Sequence, residues 1–209
     1  KAVIDLDLCT LCGACPSSCK FDAIVIERQK VVLKDDPSNY KGVWVLVEHR
    51  DGEIASVVYE LLNKAKVLAK DLGTYVGAVF LGKEITDKAN ELIHRGADKV
   101  FLIDDPNLKY YISENHTKAI TGLVGKYKPE IILAGATTTG RSLVSRIAVG
   151  VYAGLTADCT GLDIDPKDKM FIQTRPAFGG NIMAEIVCPD FRPQMATVRH
   201  KVMPEAEAD

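Results

Sequence analysis

Four of the six cysteines lie close together near the beginning of the chain, with the spacing C-x2-C-x2-C-x3-C at Cys9, Cys12, Cys15 and Cys19. Gaps of two residues let successive thiolates turn around one inorganic cluster, and Gly13 gives the loop a backbone that tolerates tight turns. Bacterial ferredoxins bind a [4Fe–4S] cluster through this spacing, so the sequence predicts such a cluster. A zinc site would instead have two C-x2-C pairs separated by a longer loop, which this sequence does not contain.

The role of the fourth cysteine depends on whether the motif belongs to a complete unit. In ferredoxins with two clusters, the fourth cysteine of a motif binds the other cluster. A strand-like run at residues 2–6 precedes the motif, as it would in the middle of a two-cluster module, so we expect a first cysteine motif before Lys1. In that arrangement the first three cysteines bind one cluster and Cys19 binds the other. If the unit is complete, Cys19 closes the single cluster.

A second candidate site is the segment GATTTGRS (135–142), which follows a predicted strand and begins a predicted helix. It differs from the phosphate-binding pattern G-x4-G-K-S/T in having Arg141 where that pattern has lysine. Backbone N–H groups at a helix N-terminus bind anions, so a nucleotide-binding, ATP-hydrolysing enzyme is one hypothesis. No clear acidic partner for Mg²⁺ ends a later strand, however. The alternative is a tight turn at the carboxyl edge of a sheet, where ligands or partner proteins dock.

The elements that would position these groups change in character near Tyr40. Beyond it, short apolar runs alternate with longer segments of helical periodicity, which is typical of a parallel sheet covered by helices on both faces. The predicted strands are 43–47, 75–81, 99–103 and 131–134, and the predicted helices are 56–72, 86–95, 113–127 and 140–151. Extended runs at 170–174, 182–187 and 195–198 predict a β-rich C-terminal part. The expected fold class is α/β, with a Rossmann-like sheet.

We divide the chain into three parts. Residues 1–38 are expected to form a small, partial ferredoxin-like [4Fe–4S] unit, with a hairpin made of residues 23–26 and 31–33. Residues 39–200 are expected to form the α/β domain, and residues 201–209 a linker to a further domain. The chain begins with lysine and ends in an acidic segment, so we expect both ends to continue in a longer protein.

Composition and charge argue against several functional classes. The 209 residues include 26 basic and 28 acidic side chains, a formal charge of −2, whereas a general nucleic-acid binder needs a basic excess to neutralise phosphates. No apolar run approaches the ~20 residues that span a bilayer. The first residues also do not have the basic and then apolar pattern of a signal peptide. We therefore expect a cytoplasmic protein with no nucleic-acid partner and no membrane span.

From Tyr40 onward the chain resembles the N-terminal domain of the alpha subunit of electron-transferring flavoproteins. The stretches that carry the resemblance are GATTTGR (135–141), GLTADCTGL (154–162), TRPAFGGNIMAE (174–185) and RPQMATVR (192–199). With its ferredoxin-like extension, the chain is similar to the alpha subunits of lactate dehydrogenase and acyl-CoA reductase complexes of anaerobes, in which electron bifurcation is known.

The resemblance implies FAD as a cofactor and several protein partners. It implies a heterodimer with a beta subunit that holds one flavin. It also implies an FAD-dependent dehydrogenase of the lactate or acyl-CoA type as the electron partner, with ferredoxin as a further partner. The alpha subunit's own FAD would lie in the domain after the linker, so this chain would bind no FAD by itself.

The resemblance further implies which residues lie near the flavin of the beta subunit. Arg175 matches an arginine of the family that lies near this flavin, where a guanidinium would stabilise the reduced, anionic form through its charge. Arg141 is a second candidate for the same neighbourhood. No arrangement of nucleophile and base stands out in the sequence. We therefore expect an electron-transfer subunit without catalytic residues, which relays electrons between FAD, the cluster and a partner. A scaffold with a purely structural cluster is the other alternative.

Overall fold

The computed structural model describes residues 4, 9, 13–21, 23–26, 36–50 and 52–208 of the chain. It divides the chain into two compact units, residues 1–34 and residues 35–209. Apart from Ile4, the predicted strands at 2–6 and 31–33 lie outside the described residues. Residues 23–26, the first arm of the predicted hairpin, are described and form no strand, whereas the first strand and the second arm stay predictions. In the described part of the first unit, one short helix, α1, spans Ala14–Ser18.

The second unit consists of alternating strands and helices. Its strands are β1 (Val43–Leu46), β2 (His49–Arg50), β3 (Glu53–Ile54), β4 (Val76–Gly82), β5 (Lys99–Asp104), β6 (Ile131–Gly135), β7 (Leu155–Cys159), β8 (Gly161–Ile164), β9 (Phe171–Ala177), β10 (Ile182–Ile186) and β11 (Gln194–Val198). Its helices are α2 (Ser56–Leu72), α3 (Ala89–His94), α4 (Ser113–Tyr127) and α5 (Thr138–Gly150). None of the helices in the described ranges is long and apolar enough to cross a membrane.

Six strands form one parallel sheet in the order β5-β4-β1-β6-β11-β7. β1 lies in the interior of this sheet, with Val43 opposite Val76 of β4 on one side and opposite Ile131 of β6 on the other. The chain adds β4 and β5 on one side of β1 and then crosses to β6 on the other, so the strand order reverses between β1 and β6. The predicted α/β fold with a parallel sheet is confirmed.

Helices cover both faces of the sheet, and β1 contributes to both hydrophobic cores. Val43 and Val45 pack into the core under α2, whereas Trp44 and Leu46 pack into the core under α4 and α5. All four side chains are buried, because successive residues of a strand point to opposite faces of the sheet. This double burial explains why a continuous apolar run, and not an alternating one, marks the strand.

The C-terminal third forms a second sheet and then returns to the first. β8, β9 and β10 pair as an antiparallel sheet of three strands. β11 then inserts between β6 and β7 and runs parallel to both. The β-rich C-terminal part is confirmed, but β7, β8 and the return of β11 to the main sheet are not predicted from the sequence.

Residues 201–206, which belong to the predicted linker, are held against α2. The buried carboxylate of Glu60 accepts hydrogen bonds from the backbone N–H of Lys201 at 2.8 Å and of Met203 at 3.3 Å. Arg95 Nη1 donates to the carbonyl oxygen of Ala206 at 2.7 Å, and the guanidinium lies 3.9 Å from the centre of the Tyr59 ring. The segment therefore follows a defined path over the helix.

We expect Glu60→Gln to lower the free energy of unfolding by about 1–3 kcal/mol, because a neutral amide replaces a buried carboxylate that accepts two backbone hydrogen bonds. Urea denaturation followed by circular dichroism measures this difference. Glu205→Gln is the matched control, since Glu205 is exposed in the same segment and its substitution should change stability by less than about 0.5 kcal/mol. Equal stability of the two variants would show that the contacts of Glu60 do not hold the segment.

Candidate functional site

The cysteine motif lies in the first unit, around α1. Gly13 precedes the helix with φ of 81°, a left-handed conformation that glycine adopts without strain. Cys15 lies in the helix and Cys19 follows its last residue, with the N–H of Cys19 donating to the carbonyl oxygen of Pro16 at 3.1 Å. Cys9, Cys15 and Cys19 are partly buried, and Cys12 lies outside the described residues.

The described residues test only part of the predicted ligand set. Among them, no group of three His, Cys, Asp or Glu side chains is placed to hold a metal ion. Cys12 is not among the described residues, so the four-cysteine site stays a prediction. The chemistry of the donors fits the group, since thiolates are the ligands of a [4Fe–4S] cluster. The turn at Gly13 and the one-turn separation of Cys15 and Cys19 are compatible with a loop that wraps a compact cluster.

Arg141 lies in the first turn of α5, where it forms an ion pair. Its Nε is 2.8 Å from Oδ1 of Asp158 on β7. Asp158 has φ of 61°, which is uncommon for a residue with a side chain, and its N–H donates to the hydroxyl of Thr197 on β11 at 3.0 Å. The pairing of β7 with β11 shifts register at this point, between Ala196 and Val198. An irregularity in the sheet thus turns Asp158 toward α5.

Arg175 lies on β9, opposite Ala184 of β10, and is partly buried. Its charge acts on Cys159, the last residue of β7. Burial raises the pKa of the Cys159 thiol to about 11, against the lowering effect of the Arg175 guanidinium, while Asp158 adds to the rise. Cys159 is fully buried and remains a neutral thiol at neutral pH, so it serves as a small residue of the core.

The structure therefore brings both predicted arginines near the carboxyl end of β7. Arg141 reaches it through Asp158, and Arg175 acts on the adjacent Cys159. Asp158 was missed as a functional candidate in the sequence, although it lies inside the segment GLTADCTGL. A signal for it would be the one charged residue in the short strand LTADC. The arrangement provides positive charge at one edge of the sheet, with one of the two charges balanced by a carboxylate.

In the loop that resembles a phosphate-binding segment, residues of the protein itself take up the hydrogen-bonding groups. The hydroxyl of Thr137 caps α5 by accepting the N–H of Gly140 at 2.9 Å, and it donates to Oε2 of Glu48 at 2.6 Å. A Cβ on Gly140 would lie 2.1 Å from the carbonyl oxygen of Gly135, so only glycine fits this turn. The glycines are thus explained by close packing. The carboxylate of Glu48 also adds negative charge at the helix N-terminus, which disfavours phosphate there.

A cavity of about 460 Å³ opens beside this loop, at the carboxyl ends of β1, β4 and β6. Glu48, His49 and His116 line it together with the first turn of α5. The order of strands reverses at this point, between β1 and β6, and such crevices are the usual ligand sites of open α/β sheets. None of these three residues is singled out by a spacing motif, because the loop after β1 and β2 contribute Glu48 and His49, whereas His116 comes from α4, far along the chain.

The two histidines of the cavity have different hydrogen-bonding roles. His49 Nε2 lies 2.7 Å from the carbonyl oxygen of Leu81 and must carry the hydrogen, while Nδ1 accepts the N–H of Gly52 at 3.2 Å. His116 Nδ1 lies 3.0 Å from the carbonyl oxygen of Ile112, so it is the donor and Nε2 is the acceptor in the neutral ring. Burial lowers the pKa of His116, which favours this neutral form.

Comparison with known proteins gives one family and several close relatives. Residues 43–209 match the electron transfer flavoprotein domain. The chain is 50% identical over 172 residues to the electron transfer flavoprotein subunit alpha of Thermoanaerobacterium thermosaccharolyticum, a match covering 82% of this chain and 52% of that protein. It is 40% identical over 194 residues to the acryloyl-CoA reductase electron transfer subunit beta of Anaerotignum propionicum, covering 82% and 53%.

A further relative is the lactate dehydrogenase (NAD(+),ferredoxin) subunit LctC of Acetobacterium woodii. It is 43% identical over 200 residues, which cover 95% of this chain and 47% of LctC. A match of that coverage extends beyond the second unit into residues 1–34. The chain spans about half the length of the curated relatives that it matches. Because one family accounts for nearly the whole second unit, with relatives of the same description, the chain belongs to the electron transfer flavoprotein domain family.

Proposed function

We propose that the chain is an alpha-type electron-transfer subunit whose four clustered cysteines hold a [4Fe–4S] cluster. The observation that carries this proposal is the ferredoxin spacing of the cysteines in a chain that belongs to the electron transfer flavoprotein domain family. The match to LctC supports it, because that relative is named for a reaction with ferredoxin and its match extends into the cysteine-containing unit. A bound cluster of this type accepts and donates single electrons.

In this proposal Cys9, Cys12, Cys15 and Cys19 bind iron, and residues 1–38 form the ferredoxin-like unit. Residues 39–200 dock a beta subunit, and residues 201–209 lead to a second, FAD-binding domain. The known relatives are about twice as long as the region that they share with this chain, which leaves room for such a domain. FAD is then held mainly by the beta subunit and by that second domain.

The arginines at the end of β7 are proposed to act on the flavin of the beta subunit. Arg141 is paired with Asp158, whereas no described carboxylate forms an ion pair with Arg175. The charge of Arg175 is therefore less compensated, and its partial burial reduces screening by solvent. A guanidinium in such a setting stabilises an anionic, reduced flavin more than a neutral, oxidised one. Arg175 is the stronger candidate and Arg141 the weaker.

The electron partners are proposed from the relatives. Lactate dehydrogenase and acryloyl-CoA reductase appear in the names of two of them, so an FAD-dependent dehydrogenase of the lactate or acyl-CoA type is the proposed partner, with ferredoxin as a further one. The complex is then proposed to be electron-bifurcating. An ATP-hydrolysing enzyme is less well supported, since Glu48 occupies the vicinity of the helix N-terminus that would bind phosphate.

Anaerobic reconstitution with iron and sulfide should give a brown protein with about four iron and four sulfide ions per chain. Cys15→Ser should lose most of this iron, because a ligand is removed, whereas Cys188→Ser should keep it, since Cys188 lies outside the motif. Iron and sulfide analysis with visible absorption measures the content. Finding zinc, or no iron in the parent chain, would contradict the cluster.

Two further measurements separate the alternatives within this prediction. Cys19→Ser should lose the cluster as Cys15→Ser does if Cys19 closes the same cluster, and it should retain the cluster if Cys19 serves another one. Reversible reduction in an anaerobic titration supports the relay. A cluster that cannot be reduced and reoxidised is structural, and the scaffold hypothesis then replaces the electron-transfer role.

Arg175→Gln in the complex with the beta subunit should lower the reduction potential of that subunit's flavin by on the order of 50 mV, because a positive charge that favours the anionic reduced form is lost. Spectroelectrochemical titration of the flavin measures this shift. Arg141→Gln should cause a smaller shift, since Asp158 already balances that charge. Arg146→Gln is the control, because the side chain of Arg146 on α5 is as exposed as that of Arg141 but pairs with Glu114 on α4. Unchanged potentials in all three variants would contradict the assignment.

A further inference from the structure

The cavity beside the 135–142 loop has an apolar floor and a few polar groups on its walls. Its floor is made of buried aliphatic side chains from two strands and two helices, namely Leu46, Val79, Leu81, Ile120 and Leu143. A volume of about 460 Å³ is within the range of ~300–1,000 Å³ typical of small-molecule sites. The floor offers a planar apolar ligand dispersion contacts and removal from water. It leaves the selection of that ligand to the few polar groups on the walls.

Two polar side chains on the walls, Glu48 and His116, present free hydrogen-bond acceptors. Glu48 uses Oε2 to accept the hydroxyl of Thr137, which leaves Oε1 to accept from a ligand. His116 uses Nδ1–H on the carbonyl of Ile112, so its Nε2 is an acceptor in the neutral ring. His49 is committed at both ring nitrogens to Leu81 and Gly52 and contributes no donor. A ligand that contacts Glu48 and His116 must therefore donate hydrogen bonds to them.

Aromatic rings lie at the rim of the same cavity. Tyr111 lies against His116, with ring centres 5.2 Å apart, and Tyr110 is exposed beside it. Such rings stack on planar heterocycles and tolerate their polar edges. Arg50 and Lys109 also line the cavity, but both are exposed, so solvent and salt screen their charges. The rim therefore favours a planar base over a compact anion.

We propose that this cavity binds a nucleoside with an amino-substituted base, such as adenosine. The two vicinal hydroxyls of a ribose donate hydrogen bonds to the free carboxylate oxygen of Glu48. An acidic residue binds a ribose in this way in other α/β folds. The amino group of the base donates a hydrogen bond to Nε2 of His116, and the ring of the base packs against the aliphatic floor. The negative charge of Glu48 at the start of α5 keeps phosphate groups away from the position that the loop sequence predicts for them.

Isothermal titration calorimetry of the chain with adenosine tests the proposal. Adenosine should bind with one site per chain and a dissociation constant below about 1 mM, a modest affinity because few polar contacts are available. 2′,3′-Dideoxyadenosine and purine riboside, which lack the hydroxyls and the amino group respectively, should each bind about tenfold more weakly. Inorganic triphosphate should not displace adenosine. No binding of adenosine, or its displacement by triphosphate, would overturn the proposal.

Two pairs of variants locate the binding in the cavity. Glu48→Gln should weaken adenosine binding about tenfold, because the charged acceptor is lost, whereas the exposed Glu53→Gln should leave it unchanged. Thr139→Trp, in the lining, should fill the cavity and abolish binding, whereas Thr138→Trp, exposed on the same turn, should not. Thermal unfolding of all four variants checks that they fold. Binding that is indifferent to both lining substitutions in folded protein places the ligand elsewhere and refutes the assignment.

Discussion

The double burial of β1 is the constraint on which the second unit depends. Trp44 packs on one face of the sheet and Val45 on the other, so helices must cover both faces before this strand is removed from water. β1 pairs with β4 and β6 at once, and the connections to them run on opposite faces. The strand order therefore reverses beside β1, and the segments that leave β1 and β6 diverge at their carboxyl ends. The crevice between them is a geometric result of this topology.

An irregularity in the pairing of β7 with β11 places charged side chains at the carboxyl end of β7, the edge strand of the sheet. β7 and β11 lose register near Asp158, whose left-handed backbone is stabilised by the hydroxyl of Thr197 and by the ion pair to Arg141. A residue with a side chain adopts this conformation at a cost of about 1–2 kcal/mol, so the surrounding contacts must offset it.

Much of the fold can be predicted from the sequence because the main elements have strong local signals. The helices at Ser56–Leu72 and Ser113–Tyr127 have the predicted bounds, since each carries a continuous apolar stripe. The return of β11 to the main sheet could not be predicted, because no local signal distinguishes a strand that pairs with β10 from one that inserts between β6 and β7. Long-range pairing is decided by burial, which becomes visible only when the whole sheet is assembled.

The candidate site residues show the same division: some are recognisable along the chain, and others only in the folded structure. The cysteine spacing and the two arginines are recognisable along the chain, whereas Glu48 and Asp158 are paired with residues far away in sequence. The first turn of α5 contacts the cavity through Thr139 and the end of β7 through Arg141. Its position is set between two carboxylates, Glu48 through the cap and Asp158 through the ion pair. Because both contacts come from one turn, the cavity and the charged edge of the sheet border the same few residues.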